Sequence, residues 1–502
     1  MDHPTLAIAI LATTGVLLVA IAGVRVSAKV GVPSLLLYLG IGMVLGQDAI
    51  GLDFDNAKLA QHLGLVALAV ILAEGGLTTR WGDIRSSVPM AVALSTVGVA
   101  VSVAVTTVAT RYVLDTGWRT AALLGAIVSS TDAAAVFSTL RAVRLPARLR
   151  GVLEAESGFN DAPVVILVTL LAGEHGGALH GAGVLCYELA VGAGIGIVTG
   201  LLASNTLRQA ALPAAGLYPL ATMAFAMASY AAATAAGASG FLAVYLTGLW
   251  IANAPLPHRR ATLGFAEGIG WLAQISLFVM LGLLSAPTRL GPAVLPALAI
   301  GAVLLLVARP LSVVASTGAF RLPWRQQALL SWAGLRGAVP IVLTTVPLTT
   351  GVHGSRQIFD VVFVLVAVFT LLQAPLLRPI AAALGLVRHD EAVPLTVESA
   401  PLDEMHAELL QLEIPPASRL HLVEIWELRL PAGAAVTLIV RDGTAFVPEP
   451  TTPLERGDSV LVVTTRTDLA ATEERLRAVH RSGKLARWAG DRGSASPVSG
   501  RS

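Results

Sequence analysis

Cysteine is nearly missing from this chain. Its 502 residues include one, Cys186, which excludes a disulfide framework and a cysteine-built metal site. Charge and aromatics are also scarce, at 13% and 5% of residues. Soluble domains carry about 25% charged residues, so a chain this poor in charge cannot cover itself with a water-facing surface and reads as a polytopic membrane protein. No basic n-region precedes the first apolar run: the chain opens Met1-Asp2-His3-Pro4, and residues 5–24 read as a retained span rather than a cleaved signal peptide. No Thr-Val-Gly-Tyr-Gly run supplies the carbonyl filter of a channel. The ten histidines fall mostly in loops or the tail, away from any serine at membrane depth, which argues against an intramembrane hydrolase. The net charge of +2 averages a membrane part and a polar tail and points to no partner. Nucleic acid is not among the expected ones.

What is present in quantity is apolar sequence, 55% of residues, with 48 glycines that permit close helix packing in lipid. Runs long enough to cross a bilayer fall near 5–24, 32–50, 59–77, 88–110, 118–140, 152–173, 182–204, 215–235, 239–254, 265–285, 291–317, 326–349 and 357–385. These thirteen runs put the two chain ends on opposite sides. Alternate loops carry fifteen basic residues, among them Arg25, Lys29, Arg80, Arg148 and Arg150, against five in the others, Lys58, Arg111, Arg119, Arg289 and Arg356. The positive-inside rule then places the N-terminus outside and the C-terminal segment in the cytoplasm. Spans 5 and 12 are interrupted, by Ser129-Ser130-Thr131-Asp132 and by Gly334-Leu335-Arg336-Gly337-Ala338-Val339-Pro340. They stand seven spans apart, as inverted repeats of spans 1–6 and 8–13 about span 7 would have it. Interrupted segments at matching repeat positions mark a transporter's binding site near the midplane.

The stretch Glu154-Ala155-Glu156-Ser157-Gly158-Phe159-Asn160-Asp161-Ala162-Pro163 opens span 6. Ionisable groups at hydrocarbon depth are costly and mark ion or proton paths. Ser157 and Asp161 share a helix face, as do Glu156 and Asn160, and a carboxylate beside hydroxyl and amide oxygens suits a small cation. Glu154 is expected at the headgroup level. Arg336 calls for a carboxylate partner, with Glu156 and Asp132 the candidates. One carboxylate that binds either a proton or a cation, exposed alternately to the two sides, makes exchange obligatory. Glu74, near Arg80, reads as a snorkelling carboxylate or a gate, Glu267 as a helix N-terminal charge, Arg309-Pro310 as a kink near the inner face, and His62 as packed or interfacial.

Three motifs together resemble the NhaP-type monovalent cation:proton antiporters: Ser130-Thr131-Asp132, Glu156-Ser157-x-x-Asn160-Asp161 and Gly334-Leu335-Arg336-Gly337-Ala338. The strings Ile71-Leu72-Ala73-Glu74-Gly75-Gly76-Leu77 and Gly125 to Phe137 are closest to the potassium/proton branch. The resemblance implies an all-α antiporter fold of about 13 transmembrane helices with inverted repeats and two broken crossing helices. It also implies a homodimer in the plasma membrane, serving ion and pH homeostasis. Asp161, with Asp132, would be the transport site; Asn160, Ser157, Thr131 and Asp132 would contribute cation-binding oxygens. Glu156 and Arg336 would form a structural ion pair. Asn160 in place of a second aspartate implies electroneutral one-for-one exchange of K+ or Na+ for H+. No cofactor and no metal beyond the transported cation are expected. Many relatives have proline where Ala133 stands. The alternative is a cation channel or uniporter gated from the C-terminus.

Composition shifts after residue 388. Residues 1–388 form the exchanger domain and 389–402 a linker. Residues 403–468 form a small α+β domain, with strands at Glu408–Ile414, Ala435–Arg441 and Ser459–Thr465 and a short helix at Ser418–Leu428. Residues 469–502 are helical at first and then disordered. Pro431 to Gly443 and Leu454 to Val460 resemble a TrkA-C (RCK-C) regulatory domain, which implies either a sensor of a nucleotide or other small ligand or a passive dimerisation module. No Gly-x-Gly-x-x-Gly turn precedes it.

Overall fold

In the computed structural model, the described residues are 3–30, 33–52, 54–131, 145–173, 178–210, 212–386, 397–402, 407–415, 418–465, 467–484 and 486. They fall in two compact units, Met1–Val387 and Arg388–Ser502.

The first unit is helical, because a backbone in hydrocarbon must satisfy its own hydrogen bonds. Its long elements are α1 (His3–Val30), α2 (Ser34–Leu45), α3 (Ala57–Thr78), α4 (Val88–Val113), α5 (Trp118–Ser129), α6 (Ala147–Ala172) and α7 (Ala178–Gln209). They continue as α8 (Leu217–Ala235), α9 (Gly240–Ala252), α10 (Arg259–Leu284), α11 (Pro287–Phe320), α12a (Trp324–Trp332), α12b (Ala338–Thr349) and α13 (Ser355–Ala383). Among the described residues, α3, α4, α6, α7, α10, α11 and α13 are long and apolar enough to cross a membrane.

Among the described residues, four departures from regular helix bear on the site. The α12 segment opens at Ala333–Gly337, between its halves. The α5 helix stops at Ser129, where Ser130 turns extended (φ −64°, ψ 142°); Asp132, Arg141 and Arg144 lie outside the described residues. Single π-helical turns interrupt α4 at Leu94–Gly98 and α11 at Leu304–Ala308. A π turn inserts an extra residue and re-aims the side chains that follow, and it is frequent at functional sites.

Glycines set the closest helix contacts. A Cβ on Gly42 of α2 would collide with the Val279 carbonyl oxygen of α10, and one on Gly282 with the Leu39 carbonyl oxygen of α2. Gly76 and Gly248 stand in the same reciprocal relation between α3 and α9. Backbones this close gain dispersion contacts in lipid that larger residues would block. Gly282→Val should therefore force α2 and α10 apart and cost about 1–3 kcal/mol; a lowered thermal midpoint in detergent checks it.

The second unit is an antiparallel sheet, order β1-β2-β5-β3-β4, built from β1 (Val397–Leu402), β2 (Ala407–Glu413), β3 (Ala434–Arg441), β4 (Thr444–Phe446) and β5 (Ser459–Thr465). Alternation along β5 buries Val460 and Val462, and α14 (Leu469–Ser482) adds Leu476 and Val479 to the same core. Three expectations change. Part of the expected linker is β1; its residues 389–396 lie outside the described ones. The helix expected over Ser418–Leu428 is only a 3-10 turn at Ile425–Leu428. Leu422 there takes a left-handed φ of 64°, and both its N–H and the Val423 carbonyl bond to Leu454 (2.8 and 3.0 Å), so the loop spends its hydrogen bonds across the fold. Finally, α14 packs into the domain core rather than starting a separate tail. The expected disorder beyond it falls on residues 487–502, outside the described ones.

Candidate functional site

The α6 helix carries the site, and among its neighbours are α5, α4, α9, α7 and α12b. Asp161 is 4% exposed and accepts a hydrogen bond from Ser130 Oγ at 2.9 Å. Asn160 Nδ2 donates to Thr131 Oγ1, and Ser157 Oγ donates to the Thr131 carbonyl at 3.1 Å. Thus Ser157, Asn160 and Asp161, spaced three and one apart on α6, all clasp the extended Ser130-Thr131 pair that ends α5. Asn160 Oδ1 is buried with no hydrogen-bond partner among the described residues, an acceptor held ready for a positive ligand. Pro163 lies inside α6 and has no N–H to offer the Phe159 carbonyl, which adds a backbone acceptor to the Asn160 side-chain oxygen within one turn of Asp161. These oxygens fit a small monovalent cation by donor chemistry. Among the described residues no group of three or more His, Cys, Asp or Glu side chains is placed to hold a metal.

The ion pair at this level is not the expected one. Glu156 pairs with Arg309 of α11, through Nη1 to Oε1 at 2.6 Å and Nη2 to Oε2 at 2.9 Å, rather than with Arg336. Both partners are buried, 2% and 5% exposed. The cause is the π turn at Leu304–Ala308: Arg309 is the next residue and faces inward, where an apolar run with one arginine and a proline suggested a kink. On the opposite flank Ser95, inside the π turn of α4, donates to the Glu156 carbonyl at 3.3 Å. Both irregular turns thus deliver a polar group to Glu156.

Arg336, in the break of α12, has a different task. Its Nε donates to the Val128 carbonyl at 2.8 Å and its Nη1 to the Gly334 carbonyl at 2.7 Å, while Thr370 Oγ1 donates to its own carbonyl at 2.6 Å. The Val128 carbonyl belongs to the last turn of α5, which lacks helical donors and carries the negative end of the helix dipole. A guanidinium placed there caps that end. Gly334 separates the two arginines: a Cβ on it would lie 2.6 Å from Arg309 Nε and 3.1 Å from Arg336 Nη1. Arg309 Nε is buried with no hydrogen-bond partner among the described residues.

A narrow cavity of about 30 Å³, room for a water or two, reaches Asp161. Its lining includes Glu154, Gly158, Thr79, Tyr245 and Gln274. Glu154 is half-buried on this wall. Glu74 is half-buried on α3, its side chain against Gly270 of α10. Sequence reading had singled out Glu154 but had not brought Arg309, Tyr245 or Gln274 to this region. For Arg309 the signal was present, a lone arginine in a long apolar run; for Tyr245 and Gln274 there was none.

Comparison with known proteins places the geometry in context. The model of the sodium/hydrogen exchanger transmembrane family matches residues 16–383, and that of the TrkA-C domain residues 409–477. The chain is 36% identical over 463 residues to the K(+)/H(+) antiporter NhaP of Alkalimonas amylolytica, covering 90% of this chain and 80% of that one. It is 34% identical over 478 residues to the K(+)/H(+) antiporter NhaP2 of Shewanella sp. MR-4, covering 93% and 83%, and 28% identical to the Na(+)/H(+) antiporter NhaS2 of Synechocystis, covering 64% and 62%. The fold is similar to that of the sodium proton antiporter MjNhaP1 from Methanocaldococcus jannaschii, with TM-score 0.66 and 20% identity over 76% of this chain and 99% of that one.

Proposed function

The chain belongs to the sodium/hydrogen exchanger family, and within it we propose that it exchanges K+ or Na+ for H+ with Asp161 as the shared site. It is a transporter rather than an enzyme, and it carries a TrkA-C domain. The observation that carries the proposal is the clasp: a buried carboxylate lining a cavity, held by Ser130 and flanked by the Asn160 side-chain oxygen. A proton or a cation neutralises Asp161, never both, so exchange is obligatory when the site faces each side in turn. Glu156 is compensated by Arg309, which leaves Asp161 as the group whose charge changes and supports one-for-one, electroneutral exchange. Asp132, outside the described residues, remains proposed beside Asp161, and Glu74 as a gate.

We propose thirteen crossings, the N-terminus outside and the TrkA-C domain in the cytoplasm of a plasma-membrane homodimer. The two π turns add support for inverted repeats. They fall in α4 and α11, seven elements apart, as do the interrupted α5 and α12. Relatives and family alike are exchangers, which leaves the channel reading with no observation in its favour.

The test is proton efflux from everted vesicles, read by fluorescence dequenching, with Na+, K+, Rb+ and Li+ offered separately across pH. Cation-dependent efflux is expected, and its absence for all four would refute the reading. Deleting residues 390–502 is expected to leave exchange in place and change its dependence on conditions, as a ligand-sensing tail, a nucleotide sensor among the options, would require. Complete loss of exchange with normal insertion would make the tail part of the transport core.

A further inference from the structure

We propose that Asp360 is a second proton-binding site, at the outer end of α13, whose occupancy decides whether Arg356 ties α13 to the start of α3. The inference rests on the exchange function and orientation proposed above. Asp360 lies in the second turn of α13 and is 8% exposed. Its Oδ1 is buried with no hydrogen-bond partner among the described residues. A carboxylate out of water without hydrogen bonds is costly. Two changes relieve the cost: a proton on the carboxyl group, or a guanidinium brought to it. Arg356 stands one helical turn before Asp360 on the same face, and the charges that act on Asp360 are those of Arg356 and of Arg289 on α11.

Arg356 is engaged elsewhere: its Nη2 donates to Asp55 Oδ1 at 2.9 Å. Asp55 directly precedes Asn56, whose side chain caps α3 by accepting from the Leu59 N–H at 2.9 Å. The pair therefore ties α13 to the start of α3, and α3 packs on α6, α9, α10 and α12b. While Asp360 holds its proton, Arg356 stays on Asp55. Once ionised, Asp360 competes for Arg356, and Asp55 holds it weakly, because its side chain is 67% exposed and exposed ion pairs gain little. Loss of the outer proton thus releases α3 from α13. The other charged groups do not replace Arg356. Asp48 accepts from the Thr288 N–H and Oγ1 at 2.9 and 2.7 Å, Arg309 of α11 is held by Glu156, and Arg119 of α5 donates to carbonyls at the end of α6. His353 and Lys58 are exposed, Arg325 of α12a lies beside Gly385 past the far end of α13, Tyr38 is the titratable group of α2, and α12b has none. Arg289, Arg356 and Lys58 belong to the sparsely basic loops, the outer ones by the positive-inside rule.

The experiment measures cation-dependent exchange in right-side-out vesicles for wild type, Asp360→Asn and Asp55→Asn, varying outer pH at fixed inner pH and then the reverse. Asparagine matches the protonated carboxyl in charge, so Asp360→Asn should keep the tie at every pH. Its rate is expected to equal that of wild type at acid outer pH and to fall about fivefold or more below it at alkaline outer pH. Asp55→Asn lacks the tie and should exceed wild type at acid outer pH and converge with it at alkaline outer pH. Equal rates throughout, a rate for Asp360→Asn lowered by the same factor at all pH, or a divergence that follows inner pH would each overturn the proposal. If Asp360→Asn fails to insert, Asp55→Asn decides by the same comparison, and a constant ratio to wild type overturns it. Infrared difference spectra of the purified protein between acid and alkaline pH add a readout independent of transport. A protonated-carboxyl band that titrates in wild type and is missing in Asp360→Asn is expected, and identical bands in both would refute the proton site. Should wild type exchange no cation, the exchange reading falls, while the infrared comparison still decides Asp360.

Discussion

Replacing Asp161 with asparagine is expected to bring cation-dependent proton movement down to the level of vesicles without the protein. An amide can neither release a proton nor offer a full negative charge to a cation, so both halves of the cycle fail at one position. Structure should survive. Asn keeps an oxygen for the hydrogen bond that Ser130 Oγ donates at 2.9 Å, and removing a buried charge also removes its desolvation cost. The thermal midpoint should therefore stay level or rise while exchange is lost, and that divergence marks a functional carboxylate. Unaltered dequenching in Asp161→Asn would end the proposal. A lowered midpoint together with lost exchange would assign Asp161 a structural duty.

The second large effect is expected at Arg309, with the opposite signature. Arg309→Ala leaves the Glu156 carboxylate, 2% exposed, without the bidentate pair at 2.6 and 2.9 Å. An uncompensated buried charge of this kind costs about 3–5 kcal/mol, a large share of the stability of a typical domain. Poor insertion or a sharply lowered midpoint is expected, with exchange lost as a consequence. Arg309→Ala combined with Glu156→Leu removes both charges and should recover much of the midpoint, since replacing both members of a buried pair by apolar residues is often close to neutral. Normal stability in the single variant would refute the pairing. Arg336→Ala should act through a different contact, since Arg336 donates to the Val128 and Gly334 carbonyls. It should loosen the end of α5 and with it the Ser130-Thr131 clasp.

These two residues show where sequence reasoning succeeds and where it stops. Asp161 was legible because a carboxylate in an apolar run is costly enough to need a reason, and the spacing to Ser157 and Asn160 put the oxygens on one helix. The interruption of α12 was legible from Gly334, Gly337 and Pro340, and the strands Ala434–Arg441 and Ser459–Thr465 from alternation and flanking turns. The partner of Glu156 was not legible. Arg309 and Arg336 carry the same charge, and choosing between them needs the rotation of α11 about its axis. One π turn at Leu304–Ala308 changes that rotation, and no composition rule reports it. The loop at Ser418–Leu428 failed for a related reason: its helical pattern lost to hydrogen bonds with Leu454, a residue distant in sequence.

From the sequence alone followed a membrane body of apolar helices, a separate small α+β domain, an interrupted helix at Gly334–Pro340 and the carboxylate on which exchange is proposed to turn. Each is a local property, a matter of hydropathy, periodicity or the cost of a charge out of water. Tertiary structure alone decided that Glu156 belongs to Arg309, that Arg336 caps α5, and that Glu154 and Tyr245 share a cavity with Asp161. Those are relations between distant segments, set by how helices turn and where their glycines let them meet.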